Sequence, residues 1–354
     1  MGIKFLNHFL RENCPKSINP IHFSELSGKR IAIDISIYLY KYESNNTLIE
    51  NIYLMLATFR YFGIIPIFIF DGKPPDEKKE LLKKRKEDKL MAQNEYNSLS
   101  AKLDSINSTV VSDVSLINSE EELKQQIISE MASLKKQFVT ITREQINNVK
   151  NLMRAYGATY YDAPGEADAL CAMLVVTKRV WACLSEDMDL FVYGCSRVLR
   201  YLSLTSQTAI LYTTKGILEE LNMSQNEFKE VCILSGTDYN TENDNNSFSN
   251  NVNNIVTIMQ IFKKYKQTTN TTNNLDTNSF YDWIQIQNAE SITNTNTSKT
   301  KELVVNIELL EKIQKMFDFS NELFQKFKNI KILNGPIQKE TIKNIMREDG
   351  FIFM

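Results

Sequence analysis

Six short runs of β-branched and aromatic residues punctuate the chain: RIAIDIS (30–36), IIPIFIF (64–70), TYYDA (159–163), VWACLS (180–185), and the pair RVLRYLSL (197–204) and AILYTT (209–214). Their apolar character is nearly continuous, the pattern of strands covered on both faces. Between them, apolar residues recur at helical spacing in TLIENIYLMLATFRYFG (47–63), REQINNVKNLMRAYG (143–157) and EADALCAMLVVTK (166–178). Strands alternating with helices predict an α/β fold, a mostly parallel twisted sheet flanked by helices. In such sheets ligands collect at the carboxyl ends of the strands.

Two regions break this alternation. Residues 76–142, from DEKKELLKKRKEDK to SEEELKQQIISEMASLKKQ, are long, polar and helix-favouring, and read as helices inserted between two strands. Beyond Asp238, residues 240–254 and 268–300 are rich in Asn, Thr and Ser and are expected to form loops with partial disorder. Helical patterns at 252–266, 306–328 and 338–348 flank them. The expected division is therefore 1–75 and 143–239 as two parts of one α/β domain, 76–142 as the helical insertion, and 240–354 as a helical C-terminal region. No internal repeat is evident.

Composition narrows the chemistry. The 354 residues are 43% hydrophobic and 24% charged, ordinary for a water-soluble globular protein. No apolar run is long enough to span a bilayer, and MGIKFLNHFLREN reads as an amphipathic helix rather than a signal peptide. An intracellular, non-secreted protein without a membrane partner is expected. The five cysteines form no Cys-x-x-Cys pair, so neither a zinc site nor a disulfide framework is indicated. Only two histidines exist, His8 and His22, which argues against a Ser-His-Asp triad or a His-rich metal site. Carboxylates, Lys, Arg or Tyr must carry whatever chemistry occurs. The net charge of −2 argues weakly against a nucleic-acid partner, unless many of the acids are gathered in one metal site.

Seven acids meet that condition. Asp34 stands late in its strand, Asp71 follows IIPIFIF at once, and Asp187 and Asp189 follow VWACLS. Glu166 and Asp168 follow the Pro-Gly turn of DAPGEADAL, and Asp238 lies in CILSGTDY. Two segments repeat an acid-x-acid device, in GEADA and EDMDL, and in extended chain such residues point the same way. Taken singly, each acid is explained as well by helix capping or surface charge. Together, at strand ends and in paired spacing, they favour hard divalent cations such as Mg²⁺ or Mn²⁺ over zinc. Two such ions ~3.5–4 Å apart activate water and stabilise a leaving oxygen in phosphodiester hydrolysis. A basic run begins just beyond Asp71: from Lys78 to Lys89 there are seven basic residues and three acids. By composition it is a solvated helix face; beside an acid-rich metal site, Lys78, Lys83, Lys84 and Arg85 read as contacts to phosphate.

MGI, IAIDIS, FDGKPP, DAPGEADA, LSEDMDLFVYG and CILSGTDY, in this order, resemble the XPG/flap-endonuclease family of structure-specific 5′ nucleases, over residues 1 to about 240. The resemblance implies a PIN-like 5′ nuclease fold in which the inserted helices form an arch. It implies a Mg²⁺-dependent endodeoxyribonuclease with two ions, Mn²⁺ substituting, that cuts branched or flap DNA in replication and repair. A 5′-exonuclease and a Holliday-junction or bubble endonuclease of the same family remain open, and a non-catalytic DNA-binding scaffold is a more distant alternative. By position, Asp34, Asp71, Glu166 and Asp168 resemble the first metal group, and Asp187, Asp189 and Asp238 the second. Lys78 and Arg85 match the residues engaging the scissile phosphate, Tyr40 an aromatic on which a base stacks, and Gly2 the small residue that lets the chain start lie near DNA. Two departures stand out. The family's glycine-rich turn after the last acid is replaced by NTENDNNSFSNNVNNIV, leaving Lys263, Lys264 and Lys266 to compensate in duplex contact. No sliding-clamp peptide is evident, since the chain ends EDGFIFM. A monomer is expected, from a large DNA virus or a parasite, acting in a cytoplasmic factory if viral and in the nucleus if cellular.

Overall fold

The computed structural model describes residues 2–108, 114–239, 254–271, 279–293 and 306–352. These form seven strands, β1 (Ile18–His22), β2 (Arg30–Asp34), β3 (Ile65–Phe70), β4 (Thr159–Asp162), β5 (Ala182–Leu184), β6 (Arg197–Ser203) and β7 (Thr208–Thr213). The helices before the second half of the sheet are α1 (Leu6–Asn13), α2 (Ser36–Glu43), α3 (Leu48–Tyr61), α4 (Lys79–Ser108), α5 (Val114–Lys135) and α6 (Arg143–Ala155). Then follow α7 (Ala167–Val176), α8 (Asp189–Val192), α9 (Thr214–Leu221), α10 (Gln225–Leu234), α11 (Ile255–Thr271), α12 (Phe280–Thr293), α13 (Ile307–Met316), α14 (Asn321–Phe327) and α15 (Lys339–Glu348). The chain divides into two compact units: residues 1–35, 55–75 and 157–336, and residues 36–54, 76–156 and 337–354.

The first unit carries the whole sheet, in the order β1-β7-β6-β5-β2-β3-β4. Pairs β2–β3, β3–β4, β2–β5 and β5–β6 are parallel, whereas β6–β7 and β1–β7 are antiparallel. Ala32, Ile33, Ile67, Phe68, Ile69, Ala182 and Cys183 are fully buried along the centre of the sheet, which is why these runs show no polar alternation. From β2 the chain builds outward through β3 and β4, then returns to β2's other side with β5 and β6. The order reverses between β2 and β5, the position at which open α/β sheets gather their ligands.

The expected PIN-like fold does not hold. The sheet is mixed: a hairpin and an N-terminal edge strand close one side with antiparallel pairing. β1 escaped the sequence reading because INPIH contains Pro20, which weakens a strand signal and is tolerated at an edge such as this one. Part of the span expected as loop, 268–300, holds α12; residues 240–253, 272–278 and 294–300 of the expected loops lie outside the described residues. The pattern at 306–328 resolves into two helices, because Ser320 caps α14 by accepting from Leu323 N–H at 3.1 Å.

In the second unit, α4 and α5 pair through their own small core of Ala92, Leu99, Ile127 and Leu134, with Tyr96 and Phe138 in edge-to-face contact at 5.4 Å. Thr142 starts α6 through a reciprocal cap with Gln145.

Helix α10, which leads to Asp238, is tied to α12 by Glu230. Its carboxylate accepts from Phe280 N–H at 3.0 Å, and the Tyr281 hydroxyl donates to the Glu230 carbonyl at 3.3 Å. Burial pushes the Glu230 carboxyl up to about 7; the Phe280 N–H opposes this, and the charges of Glu227 and Asp282 reinforce it. The folded state thus favours the protonated form. The stability it contributes is full below the ordinary carboxylate range and is lost as pH rises through about 7. Glu230→Gln keeps an acceptor for Phe280, so in thermal unfolding it is expected to raise Tm at about pH 8 and leave it level at about pH 4.

Candidate metal centre

Three of the predicted acids converge. Carboxylate oxygens of Asp168, Asp187 and Asp189 lie within 4.8 Å of one another, with Asp168 and Asp189 buried and Asp187 half-buried. Asp168 stands in the first turn of α7, Asp187 in the loop beyond β5, and Asp189 opens α8. Beyond β5, the Ser185 hydroxyl donates to Asp34 Oδ2 at 3.0 Å and accepts from Asp187 N–H at 3.1 Å. Asp187 Oδ1 accepts from Asp189 N–H at 2.9 Å, so the acid-x-acid pair is ordered by its own backbone. Asp34, last residue of β2, is thereby locked to the same loop.

The other side of the crevice is built where FDG and APG meet. Gly72 N–H donates to the Gly165 carbonyl at 2.7 Å, and a Cβ on Gly72 would come 2.0 Å from the Ala163 carbonyl oxygen. Only glycine allows this approach. It brings Asp71 to the start of α7, where Oδ1 accepts from Ala167 N–H at 2.8 Å. Glu166 precedes α7 in extended backbone (φ −73°, ψ 148°), and its Oε2 accepts from the Tyr239 hydroxyl at 3.0 Å. Tyr239 follows the half-buried Asp238 directly. Six predicted acids are thus linked with one another's segments, and Asp238 enters through its neighbour.

The electrostatics follow from this crowding. Burial pushes the Tyr239 phenol well above its ordinary value, and the charges of Glu166, Asp168 and Asp189 push it further. Tyr193 is raised in the same way, by burial and then by Asp168, Tyr239, Asp189 and Glu166. Carboxylates this close repel one another unless a cation lies among them. The donor set is all oxygen, which fits a hard divalent ion rather than zinc. Neither histidine contributes: His8 pairs with Glu12 at 3.2 Å and His22 caps a short turn through Ser24.

Gly2 lies against the triad. It has φ +74°, and a Cβ there would come 2.5 Å from Asp189 Oδ1 and 2.6 Å from Asp187 Oδ1. Lys263 and Lys264 are exposed on α11, whereas Lys266 pairs with Glu227 at 2.6 Å and is drawn into the fold. Tyr40, Lys78, Lys83, Lys84 and Arg85 belong to the second unit. Within it Lys78 is buried, Lys83 and Lys84 are exposed, Arg85 is half-buried, and Lys89 lies over the Tyr40 ring at 5.0 Å.

Comparison with known proteins bears on this arrangement. Residues 1–92 match the XPG N-terminal domain and residues 157–238 the XPG I-region. The chain is 33% identical over 258 residues to flap endonuclease 1 of Glycine max, covering 68% of this chain and 62% of that protein. It is 31% identical over 265 residues to the flap endonuclease 1 of Meyerozyma guilliermondii, covering 68% of this chain and 63% of that one.

The chain belongs to the XPG family of structure-specific nucleases.

It spans a little under two thirds of the length of these curated relatives, 62% and 63%. The fold agrees with that of XPG-family structures. The catalytic core of Rad2 superposes with a TM-score of 0.64 at 17% identity, over 98% of this chain and 94% of that one. The eukaryotic junction-resolving enzyme GEN-1 gives 0.59 at 19%, over 98% and 73%. Flap endonuclease-1 from Methanococcus jannaschii gives 0.51 at 18%, over 98% and 97%. These matches replace the PIN-like label with the XPG fold and its mixed sheet. The relatives named are plant and yeast proteins, and nothing among them points to a viral or parasite source.

Sequence reasoning missed Ser185 and Tyr239, although both stand inside quoted motifs, LSEDMDL and SGTDY. Their signal was a polar side chain close to a predicted acid: Tyr239 adjoins Asp238, and Ser185 stands two residues before Asp187. Gly2 carries the sharpest local test. Gly2→Ala forces a Cβ onto the carboxylates in a backbone region unfavourable to L-residues. It is expected to weaken Mn²⁺ binding about tenfold, by titration calorimetry without DNA, while the far-UV spectrum is unchanged.

Proposed function

We propose that this chain is a divalent-metal-dependent nuclease that hydrolyses phosphodiester bonds of branched DNA, with 5′ flaps as its preferred substrate. The observation that carries the reading is the triad of Asp168, Asp187 and Asp189 at the reversal point of the sheet. Membership of the XPG family supports it. No helix among the described residues is long and apolar enough to cross a membrane.

On this reading Asp168, Asp187 and Asp189, with Asp34, Asp71, Glu166 and Asp238 around them, hold two Mg²⁺ ions, and Mn²⁺ substitutes. Bound divalent ions supply a water acidified toward neutral pH and positive charge at the scissile phosphate. The chain's own contribution is placement. Ser185 keeps Asp34 and Asp187 in one geometry, and Tyr239 donates to Glu166 as a neutral phenol, which its raised pKa favours. Lys78 and Arg85 add positive charge to the phosphate, Lys83 and Lys84 steer the strand, and Tyr40 offers a face for base stacking. The helices of residues 76–142 act as an arch that favours a single strand with a free 5′ end. Lys263 and Lys264 contact the duplex, and Gly2 lets the chain start lie near the DNA. This assignment favours flaps over four-way junctions.

Asp189→Asn is expected to lower Mg²⁺-dependent cleavage of flap DNA about a thousandfold while flap binding in Ca²⁺ persists. Cleavage at the parent rate would remove Asp189 from the site. Product lengths from flap, nicked, bubble and four-way substrates check the preference: a parent chain faster on four-way junctions would overturn the flap assignment.

A further inference from the structure

The acid-x-acid loop has a second face. Along residues 185–189, Ser185, Asp187 and Asp189 turn toward the metal site, and the alternate residues Glu186 and Met188 turn away from it. Both alternate residues meet Arg200 of β6. Its Nη2 donates to the Glu186 carbonyl at 2.9 Å and pairs with Glu186 Oε2 at 3.3 Å, and Nη1 lies 2.8 Å from Met188 Sδ. One guanidinium therefore holds the residues on either side of Asp187.

Arg200 is itself held. It is 6% exposed, between the rings of Tyr201 and Tyr212 at 5.0 and 5.6 Å. Nη1 also donates to Asn7 Oδ1 at 2.5 Å. Asn7 Oδ1 accepts from the Tyr212 hydroxyl at 2.8 Å, and Asn7 Nδ2 donates to the Tyr201 hydroxyl at 2.7 Å. Tyr201 N–H donates to Glu186 Oε1 at 2.6 Å, which Tyr201 achieves from a left-handed backbone (φ +54°) where the β6–β7 register breaks. A bulge with strained backbone beside a charged loop is a feature that surrounding structure must over-determine. Here it turns one more donor onto Glu186.

We infer that Arg200 is a positioning residue for the metal site, gripping Glu186 and Met188 so that Asp187 and Asp189 stay aimed at one cation. The inference rests on the divalent-metal reading of the triad. Its physical basis is repulsion: without a grip from behind, neighbouring carboxylates relax the loop away from each other, and that relaxation must be reversed on binding. A planar fork makes the contacts to both Glu186 and Asn7; a lysine ammonium has no such fork. Partners that orient metal ligands in this way are worth about 10–100-fold in affinity.

The test is calorimetric titration of Mn²⁺ alone into the DNA-free full chain. Arg200→Met is expected to bind about 10–100-fold more weakly, and Arg200→Lys to fall between it and the parent. In cleavage assays the Arg200→Met deficit should shrink as Mn²⁺ is raised, with the KM for DNA unchanged. A merely structural Arg200 would lower Tm in EDTA yet leave the Mn²⁺ affinity of the folded chain at the parent value, and that result overturns the inference. Should Arg200→Met fail to fold, Glu186→Gln carries the test: it keeps the shape, loses the charge, and is expected to weaken Mn²⁺ several-fold. Parent affinity in Glu186→Gln overturns the inference as well, as does a parent chain that binds no Mn²⁺. A parent chain that binds Mn²⁺ but cuts no branched DNA would sink the nuclease reading alone.

Discussion

Like charges packed into one crevice dominate this molecule. Oxygens of Asp168, Asp187 and Asp189 stand within 4.8 Å of each other, and Asp168 and Asp189 are buried where water screens them little. Such a cluster is unfavourable unless the backbone beneath it is rigid and a cation completes it. The parallel core of the sheet provides the rigidity. β2, β3 and β5 bring their carboxyl ends to one line, and the sheet's order reverses between β2 and β5.

Small contacts then convert strand ends into a site. Ser185 ties Asp34 to the Asp187 loop, Gly72 lets the segment after β3 touch the segment after β4, and Tyr239 reaches back to Glu166. None of these residues ligates in the proposed scheme. They decide where ligands stand, and the high phenol pKa values of Tyr239 and Tyr193 register the negative field that results. Gly2 and Asn7 bring the N-terminal segment into the same assembly from two sides, one against the acids and one against Arg200.

Membership of the XPG family joins this chain to proteins whose fold it shares at low identity, 17% for the Rad2 core and 18% for the archaeal flap endonuclease-1. At that distance the fold is preserved by pattern rather than by residue. A buried strand needs only apolar residues of suitable volume, so the central β2, β3 and β5 tolerate wide substitution. On the proposed reading the carboxylates have less latitude, because a hard cation needs oxygen donors at fixed positions.

The central strands and most helices were legible in the sequence because their signals are local: continuous apolar runs, helical spacing, and caps such as Thr142–Gln145. Asp34, Asp71, Asp187 and Asp189 were legible for the same reason, as residues at or just past strand ends, whereas Asp168 lies in α7 and Asp238 beyond α10. What lacked a local signal was missed. β1 is an edge strand carrying Pro20, α12 lies in a span whose composition suggested loop, and the antiparallel closure that makes the sheet mixed is a matter of pairing between distant segments. By itself the sequence determined which residue types stand near the strand ends, a carboxylate-rich oxygen set that favours hard cations over zinc. Tertiary structure alone decided which of those carboxylates meet and what grips them from behind. Convergence of Asp168 with Asp187 and Asp189, and of Arg200 with Glu186 and Asn7, depends on strand order and register, which no short stretch of chain encodes.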